Sequence, residues 1–363
     1  MRPSLPLTTP PTSLCLLRLS ALGDVCNAVP VVRTLQKFWP ETRLTWVVGK
    51  LEAGLVGDIP GVEFITFDKR AGWRAYRALR RRLRDRRFDV LLHMQVALRA
   101  NLAGLMIPAR MRLGFDRARA KDGHTWVTNA RIAGQPRQHV VDGFFGFLEA
   151  LGLPERELRW DLPIPPAARA FAEQHLPGTQ PTLIISPCSS VRARNFRNWS
   201  AEGYAAVADY AAEKLGMRVV LTGGPTDLER DYAAAIGRLA KQPPIDLIGQ
   251  TSLKELLAVL ERATALVSPD SGPAHMATAV GTPVIGLYVT SNPDRTGPYL
   301  SREWVVNKYP EAVQAEFGKR VEDIAWGRRV RDPAAVNSVR VADVTDTLMR
   351  VMSSSNAPIN MSR

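Results

Sequence analysis

Short apolar runs alternate with helical periods along most of this 363-residue chain, and the alternation occurs twice. Leu14–Leu19 reads as a strand, Ser20–Asp24 as a loop, and Val25–Phe38 as a helix with apolar residues at helical spacing. Leu44–Val48, Val62–Phe67 and Val90–His93 read as further strands, with helices over Gly72–Arg87 and Gln95–Met106. Five prolines between Asp161 and Thr182 then interrupt the pattern, although a short helix over Ala167–His175 fits among them. After them it restarts. Leu183–Ser186, Arg218–Leu221, Ile245–Leu247, Ala265–Val267 and Val284–Tyr288 are strand-like, separated by helices over Ala201–Leu215, Leu228–Ala240 and Leu253–Ala263. Such alternation predicts parallel βαβ units, hence an α/β fold with two open sheets. Ligands of open α/β sheets bind beyond the carboxyl ends of the strands, so two such halves predict a cleft between those ends. The expected division is a first domain over 14–165, a second over 166–335, and an amphipathic helix over 336–352. Residues 1–13 and 353–363 read as flexible tails.

Bulk properties narrow the partners. Net charge is +13, from 48 Lys and Arg against 35 Asp and Glu, which favours an anionic partner: nucleic acid, an acidic membrane surface or a phosphorylated substrate. Cys15, Cys26 and Cys188 lie far apart and are odd in number, which argues against a disulfide framework and points to the cytoplasm. The first residues are rich in Pro and Thr without an apolar core, so they do not read as a secretory signal. No run of about 18 apolar residues predicts a membrane span.

Four stretches carry candidate chemistry. In Ser268–Tyr288 an apolar strand enters Asp270-Ser271-Gly272, followed by Pro273 and a helix-forming run. Backbone N–H groups at the start of that helix suit an anion, phosphate above all, with Asp270 and His275 flanking them; an ordinary capped turn is the plain alternative. Gly23-Asp24 stands where the first strand hands over to a helix, and a carboxylate there can serve as a general base or merely cap the helix. Ser189, Ser190, Arg192, Arg194 and Arg197 follow a strand of the second half, and hydroxyls with guanidinium groups suit a diphosphate. Gly223-Gly224 permits close backbone approach, and Glu229 could accept hydrogen bonds from a ribose. The arginine-rich stretch Trp73–Arg87 is a solvated helix or, with Trp73 and Tyr76 at its start, a surface for anionic membrane. No dinucleotide fingerprint, P-loop, zinc motif or nucleophile elbow occurs. His93, His124, His139 and His175 are scattered and read as structural.

Taken in order, these stretches resemble the ADP-heptose:lipopolysaccharide heptosyltransferases. The resemblance rests on Arg18-Leu-Ser-Ala-Leu-Gly-Asp24 with Pro30, Trp46-Val-Val48, Ser186-Pro-Cys-Ser-Ser190, Arg197-Asn-Trp199 and Ser252-Leu253. It continues through Asp270-Ser-Gly-Pro-Ala-His275, Pro293 and Gly297-Pro-Tyr299, and spans roughly Leu14 to Met352. The pairing of the first motif with the Asp270–His275 turn is its most specific part. It implies a GT-B fold, two Rossmann-like domains facing a central cleft, with the C-terminal helix returning to the first domain. It also implies an inverting transferase that needs no metal. In that reading Asp24 is the catalytic base, Asp270, Ser271, Gly272 and His275 meet the donor sugar and diphosphate, and Ser189, Ser190 and Arg197 form the phosphate loop. Glu229 meets ribose, and the backbone at Thr251 and Ser252 meets adenine. Arg197 stands where the family commonly has Lys, and Cys188 where it commonly has a small residue.

The implied donor is ADP-heptose. The implied acceptor is the Kdo/heptose inner core of lipopolysaccharide on lipid A, met by Gly23, Lys69, Arg70, Arg74, Arg99 and Arg119. Arg110, Arg112, Arg117 and Lys121 add to the first-domain charge in one connecting stretch. The implied place is the cytoplasmic face of the inner membrane, peripherally bound, with no nucleic acid partner. Two other readings compete: a nucleotide-sugar epimerase or hydrolase of the same fold, and a polyanion-binding protein motivated by the charge.

Overall fold

The computed structural model describes residues 4–189 and 195–355. The chain divides between Pro163 and Ile164 into two compact units, inside the proline-rich run.

The first unit holds strands β1 (Ser13–Leu17), β2 (Arg43–Gly49), β3 (Val62–Phe67), β4 (Phe88–His93), β5 (Ala109–Gly114) and β6 (Ala130–Arg131). They form one parallel sheet in the order β3-β2-β1-β4-β5-β6. β1 is central, with Leu14 opposite Leu44 of β2 on one side and Val90 of β4 on the other. From Leu14 to Leu17 it is apolar and buried because it is covered on both faces. The chain winds outward from β1 to β2 and β3, then returns to add β4, β5 and β6 on the other side. The crossover direction therefore reverses between β1 and β4, and a crevice opens at their carboxyl ends.

β5 corrects the expectation of a basic connecting stretch, since Arg110 and Arg112 lie within it. Met111 and Leu113 alternate with them and are buried, the period of a strand. Arg112 donates to the carbonyls of Gly104 (2.6 Å) and Ile107 (2.7 Å), so its charge serves the fold. Residues 7–13 are also more than a tail. Leu7 N–H donates to the Leu151 carbonyl (3.0 Å), Arg43 N–H to the Thr12 carbonyl (3.0 Å), and the Thr12 hydroxyl to Asp89 (2.7 Å). The Arg43–Thr12 bond pairs backbone groups that would otherwise be orphaned where the sheet begins.

Two histidines stack in this core. His93 ends β4 with no exposed surface, and its ring meets that of His124 edge-on at 4.6 Å. Gly104 admits the His93 ring, since a Cβ there would lie 2.7 Å from it. His124 Nε2 accepts from Phe115 N–H (3.0 Å), so the network assigns its proton to Nδ1, facing Asn101 Oδ1 at 3.0 Å. Burial, then the neighbouring His124, pushes His93 from 6.5 down to about 3. Burial, then Arg131, pushes His124 down to about 4. Below pH 6.5 the unfolded chain takes up protons that the folded one refuses. Stability is therefore lost as pH falls from about 6.5 toward 3–4, by up to about 1.4 kcal/mol per pH unit for each ring. The melting temperature should drop steeply between pH 6 and 4 and less steeply in His93→Leu; parallel profiles would refute this coupling.

The second unit repeats the plan with β7 (Thr182–Ile185), β8 (Arg218–Leu221), β9 (Ile245–Asp246), β10 (Ala265–Pro269), β11 (Val284–Tyr288) and β12 (Val306–Asn307). All are parallel, in the order β12-β11-β10-β7-β8-β9, so the crossover reverses between β7 and β10. The C-terminal helix, Val341–Ser355, lays Val344, Leu348 and Val351 into this unit's core, against the helix Ala201–Leu215 and strands β11 and β12. The Trp199 indole N–H reinforces the approach by donating to the Val339 carbonyl (3.1 Å). The apolar stripe at i, i+4, i+7 finds these partners in the second sheet. Residues 353–355 belong to that helix rather than to a tail.

Candidate active site

Both sets of candidate residues lie at the points where the crossovers reverse. In the first unit the loops after β1 and β4 are tied together. Leu19 N–H donates to Gln95 Oε1 (2.8 Å), Gln95 Nε2 to the Ser20 hydroxyl (3.2 Å), and Arg18 Nη1 to the Met94 carbonyl (2.6 Å). Asp24 occupies the first turn of the helix Leu22–Phe38 and is one-third exposed. Its carboxylate accepts weakly from Ala21 N–H (3.4 Å) and pairs with Arg18 Nη2. The capping and catalytic readings are thus compatible, because a carboxylate has four lone-pair positions and the helix start uses one. Gly23 is buried in the same turn.

Arg18 is the residue that the motif contained and sequence reasoning left without a role. Its side chain is 11% exposed, and its guanidinium lies over the Phe144 ring at 5.3 Å. Held by the ring and the Met94 carbonyl, it fixes the direction of Asp24. Glu52 was also missed. It is buried in the first turn of the helix Lys50–Val56, and burial raises its carboxyl above the ordinary range against the pull of Lys69 and Arg18. An acidic residue opening a helix after β2 was its available sequence signal.

The candidate acceptor cations divide. Lys69 and Arg70 (in the 3₁₀ turn Lys69–Ala71), Arg74 and Arg99 are exposed and follow β3 or β4, so they share the carboxyl edge of the sheet with Asp24. Arg119 does not stand free. It pairs with Asp116, donates to Gln138 Oε1 (3.1 Å) and the Ala133 carbonyl (3.2 Å), and stacks on Phe115. The basic helix is Trp73–Leu83, shorter than expected, and buries Ala75, Leu79 and Leu83 beneath its arginines.

In the second unit, Asp270 follows β10 and is nearly buried. Arg197 Nη1 donates to its carbonyl (2.9 Å) and lies 3.4 Å from its Oδ2. Ser271 opens the helix Gly272–Ala279 without capping it; its hydroxyl instead meets that of Ser268 at 2.7 Å. The first turn therefore keeps the backbone donors that an anion would use. His275 is buried within that helix. Ser189 N–H and Oγ both reach Asn198 Oδ1 (2.8 and 3.0 Å), while Asn195 Nδ2 donates to Ser189 Oγ (2.7 Å). Asn198 is therefore the brace of this loop. Ser190, Arg192 and Arg194 lie outside the described residues.

Glu229 accepts from Gly224 N–H (2.7 Å) and the Thr226 hydroxyl (2.6 Å), which ties it to the glycine loop after β8. Ser252 caps the helix Leu253–Glu261 reciprocally with Glu255, and Thr251 precedes it. Among the described residues no three His, Cys, Asp or Glu side chains converge as a metal-binding set.

The model of Glycosyltransferase family 9 (heptosyltransferase) matches residues 76–323. The chain belongs to this family. The lipopolysaccharide core heptosyltransferase OpsX of Haemophilus influenzae is 39% identical over 344 residues, covering 95% of this chain and 98% of its own. Among solved structures, a family 9 glycosyltransferase from Veillonella parvula superposes with a TM-score of 0.75 at 22% identity, covering 94% of this chain and 97% of that one. The Escherichia coli heptosyltransferase WaaC, solved with ADP, gives 0.72 at 18%, covering 93% and 99%. These two likenesses show the GT-B fold. Family 9 membership makes the protein a glycosyltransferase of the heptosyltransferase class, and decides against the epimerase, hydrolase and polyanion-binding readings.

Proposed function

We propose that this heptosyltransferase moves a heptose from ADP-heptose to the Kdo/heptose inner core of lipopolysaccharide, with inversion at the anomeric carbon. The observation that carries the donor half is the Arg197–Asp270 pair beside an uncapped helix start at the carboxyl end of β10. A fixed guanidinium and unused backbone N–H groups suit a diphosphate, and Asp270 can accept from sugar hydroxyls. Ser189 and Ser190 complete the phosphate loop, Glu229 takes the ribose, and the backbone at Thr251–Ser252 borders adenine.

Asp24 takes the proton of the acceptor hydroxyl as that oxygen attacks the anomeric carbon. The bond from that carbon to the diphosphate breaks, and ADP departs with the electron pair. Arg197 and the start of the helix Gly272–Ala279 meet the growing charge. One carboxylate suffices, because a diphosphate leaves without the acid that glycoside hydrolysis needs. Mass spectrometry of products from ADP- and UDP-sugars with truncated lipopolysaccharide acceptors tests this. Heptose added from the ADP donor, undiminished by EDTA, is expected. Donor hydrolysis alone, or transfer only from a UDP-sugar, would refute it.

The acceptor is tied to lipid, and the carboxyl edge of the first sheet suits an anionic membrane surface. No helix among the described residues is long and apolar enough to cross a membrane. That edge carries exposed Trp73, Leu98 and Trp126, the last 90% exposed, after β3, β4 and β5. Lys69, Arg70, Arg74 and Arg99 stand among them, each able to contribute about 1 kcal/mol at an anionic surface. The protein should float with phosphatidylglycerol vesicles, stay behind with phosphatidylcholine, and lose binding when Trp73 and Trp126 become Ser. Equal partition onto both vesicles would contradict the assignment.

A further inference from the structure

The carboxyl edge of β10 and β11 holds more positive charge than Asp270 can neutralise. Arg197 is committed to Asp270. A second guanidinium arrives from far along the chain. Val330 is buried, and its N–H donates to the Thr290 carbonyl (3.2 Å), which pins Arg329 beside the loop that leaves β11. Arg329 is half-buried and makes no hydrogen bond or ion pair among the described residues. Its charge is felt by Arg197, Asp270, Arg331 and Arg295. Arg295 comes from the same loop; its Nε lies 3.5 Å from where a Cβ on Gly327 would stand. Burial first, then Arg197, pushes Arg329 down from 12.5 to about 10, so it stays cationic at neutral pH although its surroundings disfavour the charge.

A second polar group in this loop also lacks a partner among the described residues. Asn292 is 3% exposed; its Oδ1 accepts from Asp294 N–H (3.0 Å), while its Nδ2 is buried without a hydrogen bond. An unmet buried donor costs about 1–3 kcal/mol, and guanidinium groups gathered without enough counter-charge repel one another. Both costs are removed by an anion. Among the charged groups that act on one another here, Arg197, Arg295, Arg329 and Arg331 outnumber the single Asp270. A diphosphate diester carries two negative charges, and a third develops on the oxygen that leaves with the nucleotide.

We propose that Arg329 is a second cationic ligand for the diphosphate of the nucleotide donor, standing with Arg197 at the carboxyl edge of β10 and β11. This rests on the reading of the second unit as the donor site. Arg329 meets the diphosphate in the ground state and strengthens its hold as the leaving charge grows.

Calorimetry on the full chain tests this, with ADP and adenosine as probes of wild type, Arg329→Ala and Arg329→Lys. Arg329→Ala should bind ADP about tenfold or more weakly and adenosine within about twofold of wild type, because only ADP carries the diphosphate. Arg329→Lys should fall between, keeping charge but losing the planar fork. Without ligand, Arg329→Ala should melt no lower than wild type, since it removes a repelled charge. ADP affinity unchanged in Arg329→Ala would overturn the assignment while leaving the donor site standing. An equal loss for adenosine would also overturn it, by showing a distortion of the fold. Failure of the wild type to bind ADP would overturn the donor reading itself, and Arg329's role with it. Should the alanine variant not fold, Arg329→Lys reads the same comparison.

Discussion

Asp24→Asn is expected to remove nearly all transfer and leave ADP affinity unchanged. The amide keeps the shape of the carboxylate, and its Oδ1 can still accept from Arg18, the partner that fixes the side chain in the first turn of the helix Leu22–Phe38. It cannot take a proton. General base catalysis contributes about 10²–10⁴-fold, so kcat should fall by at least about that range. Rates by ADP release and affinity by calorimetry check both halves. Near-wild-type turnover would remove Asp24 from the reaction. A parallel loss of ADP affinity would assign the defect to folding rather than to the proton transfer.

Arg197→Ala should have the largest effect on donor binding. Arg197 does two things at once: it holds Asp270 through carbonyl and carboxylate, and it presents charge beside the open helix start. A hydrogen bond from its guanidinium to the charged diphosphate is worth about 1.5–3 kcal/mol. ADP should therefore bind roughly ten- to a hundredfold more weakly. Arg197→Lys should recover much of this. A single nitrogen, Nη1, makes both contacts to Asp270, and an ammonium group can replace one nitrogen. An unchanged ADP dissociation constant in Arg197→Ala would remove Arg197 from the site.

The placement of Asp24 and Asp270 at strand-to-helix handovers was legible because it is local. An apolar strand, a short turn and a helix start are contiguous in sequence, and the placement of a carboxylate at the handover is a matter of a few residues. The two-fold strand–helix alternation likewise stated both sheets before any contact was known. The losses have physical causes. Ala109–Gly114 hid as a basic connector because Arg110 and Arg112 sit at its alternate positions, and nothing in the sequence announces that Arg112 spends its charge on two carbonyls. The buried helix Val140–Leu151 went unread because Gly143 and Gly146 interrupt its Val-Val and Phe-Phe pairs, although their small surfaces allow close packing. The C-terminal helix carried a clear apolar stripe, but a stripe says that a face must be buried, not against what.

Residues that act through long-range neighbours were the least visible. Arg18 lies near Asp24 in sequence, yet its role depends on Met94 and Phe144, which only the fold brings to it. Arg329 is one arginine among many in the sequence. Its half-burial, its lack of a partner among the described residues and the charge of Arg197 acting on it distinguish it only once Val330 is seen bonded to Thr290. Conversely, Arg119 had an attractive position in the sequence and is occupied by Asp116, Gln138 and Ala133.

The most direct measurement is the anomeric configuration of the new glycosidic bond, read by NMR on the purified product and compared with that of the donor. A single carboxylate acting as base on the acceptor, with ADP leaving from the opposite face, requires the configuration to invert. A product that retains the donor's configuration would require a covalent or two-step route, and would contradict the role of Asp24 as the base of a single displacement.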